Sequence, residues 1–309
     1  MHFNKLRLFA ATTIATVALA MPTIASIRIV TSTGDLADIA KTIGQGHVTV
    51  TRLTDGRQDL HQIEARPSMV SKIRQADLVV VIGMELDGWM DSILRTAGNP
   101  RVMNGKSGYL DASVGIKKLP AKVNPNAPGV GDVHRSGNPH YWLDPLNGII
   151  IADEIRDRLI QIDPDHKSDY DRNYTAFAQA IRTDMARWKA SIAEFKDVPV
   201  LSFHSSWDYF LKAFDVRNAG TVEVYPGMGS LGVDLPTLKT RINRGDYAVL
   251  IYEPAQAQAN SALFKHLDST RIRLAPLIPS AIDSSATATY RGLIDHNIET
   301  LKSALASSK

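Results

Sequence analysis

This sequence predicts an α/β protein of two similar lobes, each a mostly parallel β-sheet flanked by helices, joined by one long rigid helix. Three observations lead there. Short apolar strands alternate with amphipathic helices in both halves of the 309-residue chain, the pattern of parallel sheets with crossover helices. Residues 165–195 contain neither proline nor glycine and carry one apolar stripe, a helix of roughly 45 Å, longer than one small lobe needs. The second half also echoes the first: residues 235–252 align without gaps on residues 66–83, pairing Pro236 with Pro67, Ile242 with Ile73 and Asp246 with Asp77.

Each element follows from local pattern. Ile27, Ile29 and Val30 open a strand, and Leu36, Ile39, Ala40 and Ile43 recur at helical spacing until Gly44 stops the helix. Val48, Val50 and Leu53 alternate as a second strand. Pro67 starts a helix with Val70 and Ile73 inward, which leads into Leu78-Val79-Val80-Val81-Ile82, an unbroken apolar run suited to a strand buried on both faces. Trp89, Met90, Ile93 and Leu94 share a helical face that ends at Gly98. Residues 116–139 are rich in Pro, Gly and Asn and form a loop. Asp144 caps the next helix with Pro145 in its first turn. The long helix carries Tyr170, Tyr174, Phe177, Ile181, Met185, Trp188, Ile192 and Phe195 at steps of four and three, a core stripe. Residues 274–278 read as a late strand, and Tyr290, Leu293, Ile294, Ile298, Leu301 and Leu305 as one face of a closing helix. The expected division is a leader over 1–25, an N-terminal lobe over 26–163, the linking helix over 164–196 and a C-terminal lobe over 197–309.

Composition narrows the function. Hydrophobic residues at 44% and charged residues at 22% fit a globular chain. The formal charge is +3, and Lys5 and Arg7 account for two of those charges, so the remainder carries no nucleic-acid footprint. Those two cations precede a short apolar run, and Ala18-Leu19-Ala20 and Thr23-Ile24-Ala25 offer small-residue cleavage sites. This reads as a secretory leader cut near Ala25, and hence a periplasmic location. No cysteine occurs, which leaves no residue for a lipid anchor or a disulfide and confines any metal site to His, Asp or Glu.

Four residues then stand out. His140 lies in Asn138-Pro139-His140-Tyr141-Trp142-Leu143-Asp144-Pro145, where two prolines stiffen the backbone around one imidazole. His61 lies in a polar stretch after the second strand, and His204 ends a strand in Phe203-His204-Ser205-Ser206. Asp283 follows the last strand, where α/β sheets place ligand contacts. Three imidazoles and a carboxylate suit tetrahedral zinc, and residues so dispersed meet only in a cleft between lobes. Glu253, in Tyr252-Glu253-Pro254, competes with Asp283 for the carboxylate role; helix capping is its plainer reading. His134, the loop's one histidine, is expected to be solvated, with an auxiliary metal role as the alternative. His47, His166, His266 and His296 are expected to be structural, and Asp208 and Glu223 to support His204 or lie at the surface.

These residues carry a resemblance. Ile29-Val30-Thr31-Ser32, Asp59-Leu60-His61-Gln62-Ile63-Glu64-Ala65-Arg66-Pro67-Ser68, the His140 segment, Phe203-His204 and the tail with His296-Asn297 are similar to those of periplasmic zinc- and manganese-binding receptors of bacterial ABC transporters, in the cluster with a rigid inter-lobe helix. The resemblance implies metal ligands at His61, His140 and His204 with a last-loop carboxylate, here Asp283. It departs at Leu60, where proline usually precedes the histidine, and in lacking a His-rich loop. It also implies Zn2+ as cargo rather than a catalytic cofactor, since manganese members tend to carry glutamate at the position of His204. The partners implied are an inner-membrane ABC permease and, as a further candidate, a periplasmic zinc metallochaperone; a monomer is the expectation. Two alternatives stay open: a Mn2+ receptor of the same kind, and a secreted zinc hydrolase with Glu253 or Asp208 as base, although no His-Glu-x-x-His helix is present.

Overall fold

The computed structural model describes residues 26–61, 63–121, 134–224, 227–283 and 286–308; the expected leader and residues 122–133 of the long loop lie outside this set. The N-terminal half runs β1 (Ile27–Thr31), α1 (Gly34–Gly44), β2 (Val48–Arg52), α2 (Pro67–Arg74), β3 (Leu78–Val81), α3 (Met90–Ala97) and β4 (Tyr109–Asp111). After it come α4 (Pro145–Ile162) and the spine α5 (Lys167–Ile192). The C-terminal half runs β5 (Val200–Ser202), α6 (Asp208–Ala213), β6 (Asn218–Thr221), α7 (Leu235–Arg244), β7 (Val249–Tyr252), α8 (Pro254–Ala259), α9 (Ser261–Leu267), β8 (Arg273–Pro276) and α10 (Tyr290–Ala306). No described helix is long and apolar enough to cross a membrane.

Each half builds one four-stranded, wholly parallel sheet, ordered β2-β1-β3-β4 and β6-β5-β7-β8. The order is the same in both, as the internal repeat predicts. The register corrects one detail. Ile29 faces Leu78 across β1 and β3, and Val200 faces Val249 across β5 and β7, so Leu78 is the counterpart of Val249 rather than of Tyr247. The ungapped alignment is therefore two residues out along this strand. A slip of two leaves every side chain on its original face, so apolar pattern alone does not reveal it.

Alternation along the strands divides the core. Ile29, Leu78 and Val80 of the first sheet and Val200, Val249 and Ile251 of the second point into one continuous core that includes Tyr170, Phe177, Ile181 and Trp188 of α5. Val30, Val79 and Val81 point the other way onto α2 and α3, and Leu201 and Leu250 onto α7 and α9. The spine is 26 residues, about 39 Å, with a single 3-10 turn at each end (Pro164–His166 and Ala193–Phe195). Its buried stripe matches the spacing read from sequence. Hydrogen bonds tie it to α10: Trp188 Nε1 donates to Asp295 at 2.7 Å, and Arg291 pairs with Asp184. Asp144 caps α4 by accepting from the Leu146 amide.

The lobes are also stitched together beside the spine. The segment 279–283, which follows β8, runs into the N-terminal half. Trp142 Nε1 donates to the Pro279 carbonyl, and the buried Asp35 accepts from the Ser280 hydroxyl at 2.5 Å and the Ala281 amide at 3.1 Å. Gly34 and Gly56 pass so close that a Cβ on either would overlap the carbonyl of Ala281 or Ser280.

Candidate metal centre

His61 follows a turn after β2. Asp59 Oδ1 accepts both the backbone N–H of His61, at 3.0 Å, and its ring Nδ1–H, at 2.8 Å. His140 repeats this arrangement: Asn138 Oδ1 accepts its backbone N–H at 3.0 Å and its Nδ1–H at 2.9 Å. An acidic or amide side chain two residues upstream thus fixes both the backbone and the tautomer, as side chains in Asx turns do. Asn138 uses its amide nitrogen to reach the Ser205 carbonyl, linking the His140 segment to the residue after His204. The repeated Asx-x-His spacing is visible in the sequence at 59–61 and 138–140 and went unread there.

His204 sits at the end of β5 in extended backbone, before a 3-10 turn. Its Nδ1–H donates to Glu223 Oε2 at 2.5 Å, both side chains being buried, and Glu223 is itself oriented by the Gly229 amide. A carboxylate behind an imidazole raises the basicity of the opposite nitrogen and holds the ring, as outer partners of metal-binding histidines do.

With each Nδ1 engaged, Nε2 is the nitrogen that each ring has for an ion. Among the described residues the group of His, Cys, Asp or Glu whose ligand atoms already lie within 4.8 Å of one another is His61, His140 and His204. Ring centroids stand 5.2, 5.6 and 5.6 Å apart. Three imidazoles bound through Nε2 at about 2 Å around a tetrahedral ion would have centroids about 5.2 Å apart. The rings therefore fit a zinc-sized ion with small adjustment.

A cavity of about 280 Å³ adjoins His61 and His204, walled by Asp59, Ser206, Glu223 and Glu253. Glu253 has two tasks there. Its Oε1 accepts from the Ser206 hydroxyl at 2.8 Å, and it caps α8 in a reciprocal box with Gln256. Burial pushes its carboxyl above the ordinary carboxylate range, opposed by His204 and the Ser206 hydroxyl. Asp283 lies elsewhere: its side chain is 88% exposed and is ion-paired with Arg52 at the end of β2, outside the histidine group. Glu223 takes the supporting place behind His204 that was one of its two expected roles, whereas the Arg52 pair with Asp283, 231 positions away, had no signal in the sequence.

The remaining histidines are placed as follows. His47 and His166 stack at 3.9 Å and bond to Asp169 and Asp163. His266 is exposed on α9. Asp208 is buried and accepts from Asn218. His134, expected to be solvated, is instead partly buried with its ring 5.3 Å from His61.

The family model described as periplasmic zinc-uptake complex component A, ZnuA, matches residues 29–304. The manganese ABC transporter substrate-binding lipoprotein PsaA of Streptococcus pneumoniae is 27% identical over 237 residues, covering 74% of this chain and 72% of that protein. The high-affinity zinc uptake system protein ZnuA of Brucella suis is 28% identical over 169 residues, 54% of this chain and 50% of that protein. The chain thus spans between half and about three quarters of these curated relatives. A crystal structure of ZnuA superposes with a TM-score of 0.71 at 19% identity over 91% of this chain and 99% of that one, a likeness of fold.

Proposed function

The chain belongs to the ZnuA family, the periplasmic component A of zinc-uptake complexes, and on that premise we propose that it captures Zn2+ in its inter-lobe cleft and delivers the ion to an inner-membrane ABC permease. Members of this family are substrate-binding proteins, which sets the hydrolase alternative aside. One observation carries the reading: three imidazoles, each with Nδ1 held by an oxygen acceptor, converge at the ring spacing of a tetrahedral ion.

Relatives of both metal types match this chain, so the choice of ion rests on the donors. Three nitrogens favour Zn2+, whereas Mn2+ prefers a shell richer in oxygen. Asp283 is the proposed fourth ligand of the closed form. To reach the ion, its loop must exchange the Arg52 pair for the metal. The spine limits wide hinge opening, so loading moves loops near the cleft rather than whole lobes. The protein acts as a monomer and takes its zinc free or from a metallochaperone.

Metal analysis of protein purified from the periplasm without chelators tests the reading. One zinc per chain is expected in the parent and loss of it in His140→Ala; full zinc retained in that variant, or manganese in the parent, would overturn it. Binding requires neutral imidazoles, so zinc affinity is expected to fall as the solution is made mildly acidic. An affinity flat from pH 7.5 to 5.5 would exclude imidazole ligation.

A further inference from the structure

We propose that His134 is a fourth metal-binding imidazole of this centre, holding the fourth position while Asp283 remains on Arg52; this rests on the metal-binding reading above. Three observations carry it. The ring of His134 lies 5.3 Å from that of His61, within the range of the histidine trio, and 6.3 Å from that of His140, about 0.7 Å wider than the widest spacing in the trio, so a short inward shift brings it to the ion. Its Nδ1–H donates to the Met84 carbonyl at 3.0 Å, so His134 shares the device of the other three: Nδ1 held by an oxygen, and Nε2 as its nitrogen for an ion. The segment that carries it is also built into the fold. Ser136 donates to Glu85 through its hydroxyl at 2.6 Å and its amide at 3.3 Å.

The seat for that segment is a strained one. Gly83, Met84 and Glu85, directly after β3, all have φ between 51° and 76°. Glycine takes this conformation freely, but Met84 and Glu85 do so only where surrounding contacts impose it. The turn aims the Met84 carbonyl at His134 and the Glu85 carboxylate at Ser136. Asp87 supports it by accepting from the amides of Ile82 and Gly83.

The consequence is a site with two alternative fourth donors. His134 stands on the side of His61 and His140, and its binding to the ion would give an all-nitrogen shell. Asp283 on Arg52 is the oxygen donor in reserve. A four-nitrogen state selects Zn2+, Co2+ or Cu2+ over Mn2+ more sharply than three nitrogens and a carboxylate. His134 is thus a specificity-determining ligand of the form in which the ion is first held.

The test uses the full mature chain loaded with Zn2+ or Co2+ as Asp283→Ala, His134→Ala and the double variant. X-ray absorption of the zinc forms counts imidazoles, the cobalt visible spectrum reports coordination, and chelator competition gives affinity. Asp283→Ala is expected to bind one ion through four imidazoles, and the double variant through three. Loss of outer partners alone costs about 10–100-fold, so removing His134 from the Asp283→Ala background is expected to weaken zinc about tenfold or more. It should also narrow the preference for zinc over manganese. An imidazole count and affinity that do not change when His134 is removed from that background would overturn the proposal and leave the three-histidine site standing. Full zinc binding by His61→Ala would instead remove the metal-binding reading itself.

Discussion

His61 and His140 are oriented from within their own tripeptides, whereas His204 is oriented by a carboxylate 19 residues away on a separate loop. The two halves of the centre thus obey different rules. The N-terminal half is local, and its Asx-x-His turns form wherever the chain can close them. The C-terminal half depends on contacts brought by tertiary folding: Glu223 behind His204, Asn138 on Ser205, and the Asp35 pocket that holds the segment leading to Asp283. A local ligand tolerates change in its surroundings. A ligand with distant support fails when that support is removed.

The sharpest way to break this comparison is Gly34→Ala. A Cβ there has no room against Ala281, and backbone rather than a flexible side chain must give way. Overpacking of this kind costs about 1–3 kcal/mol, and urea unfolding should show a loss near the upper end, about 3 kcal/mol. Unchanged stability would mean that the segment is not held as described. Next is Glu223→Ala, which leaves the buried His204 ring without its acceptor. Zinc affinity should fall about 10–100-fold in chelator titration, with much less change in unfolding. An affinity within about twofold of the parent would place the two halves on equal terms.

Asp35 gives a pH-dependent test of the same stitch. Burial raises its carboxyl to about 6, against hydrogen bonds from Ser280 and Ala281 that favour the ionised form. Its folded value lies above the unfolded one, so the stability it contributes is complete below about pH 4 and is lost as pH rises through about 6. Asp35→Asn should narrow the difference in unfolding free energy between pH 4 and pH 7 by about 2 kcal/mol. Chemical denaturation at the two pH values measures it, and an unchanged difference would exclude Asp35 as the titrating group. The smallest effect is expected for Asp59→Asn, because Asn138 already holds His140 through an amide oxygen. Zinc affinity should change by less than about threefold, and a larger loss would mean that the carboxylate's charge matters at His61.

Much of this centre is legible in the sequence. Strands announce themselves by β-branched runs, the spine by its uninterrupted stripe, and the three histidines by their places at strand ends and stiff turns. Asp59 and Asn138 carry a readable signal as well, a shared spacing to the histidine two residues on. Glu223 is marked only by its nearness to His204 in the chain, and Arg52 and the Met84 carbonyl carry no signal, because a long-range hydrogen bond leaves no mark on either partner's neighbours. The two-residue slip of the internal repeat is hidden for another reason: strand patterning has a period of two and reports the face, not the register.

The sequence by itself determined the elements, their alternation, the duplication of the lobes and which side chains are chemically able to bind a metal, since these depend on residues near one another in the chain. Only the tertiary structure decided that three imidazoles converge, that Asp283 rests on Arg52, and that His134 is held against a strained turn after β3. Such convergence is set by how two sheets pack on one helix, and distances between remote residues exist only after that packing is complete.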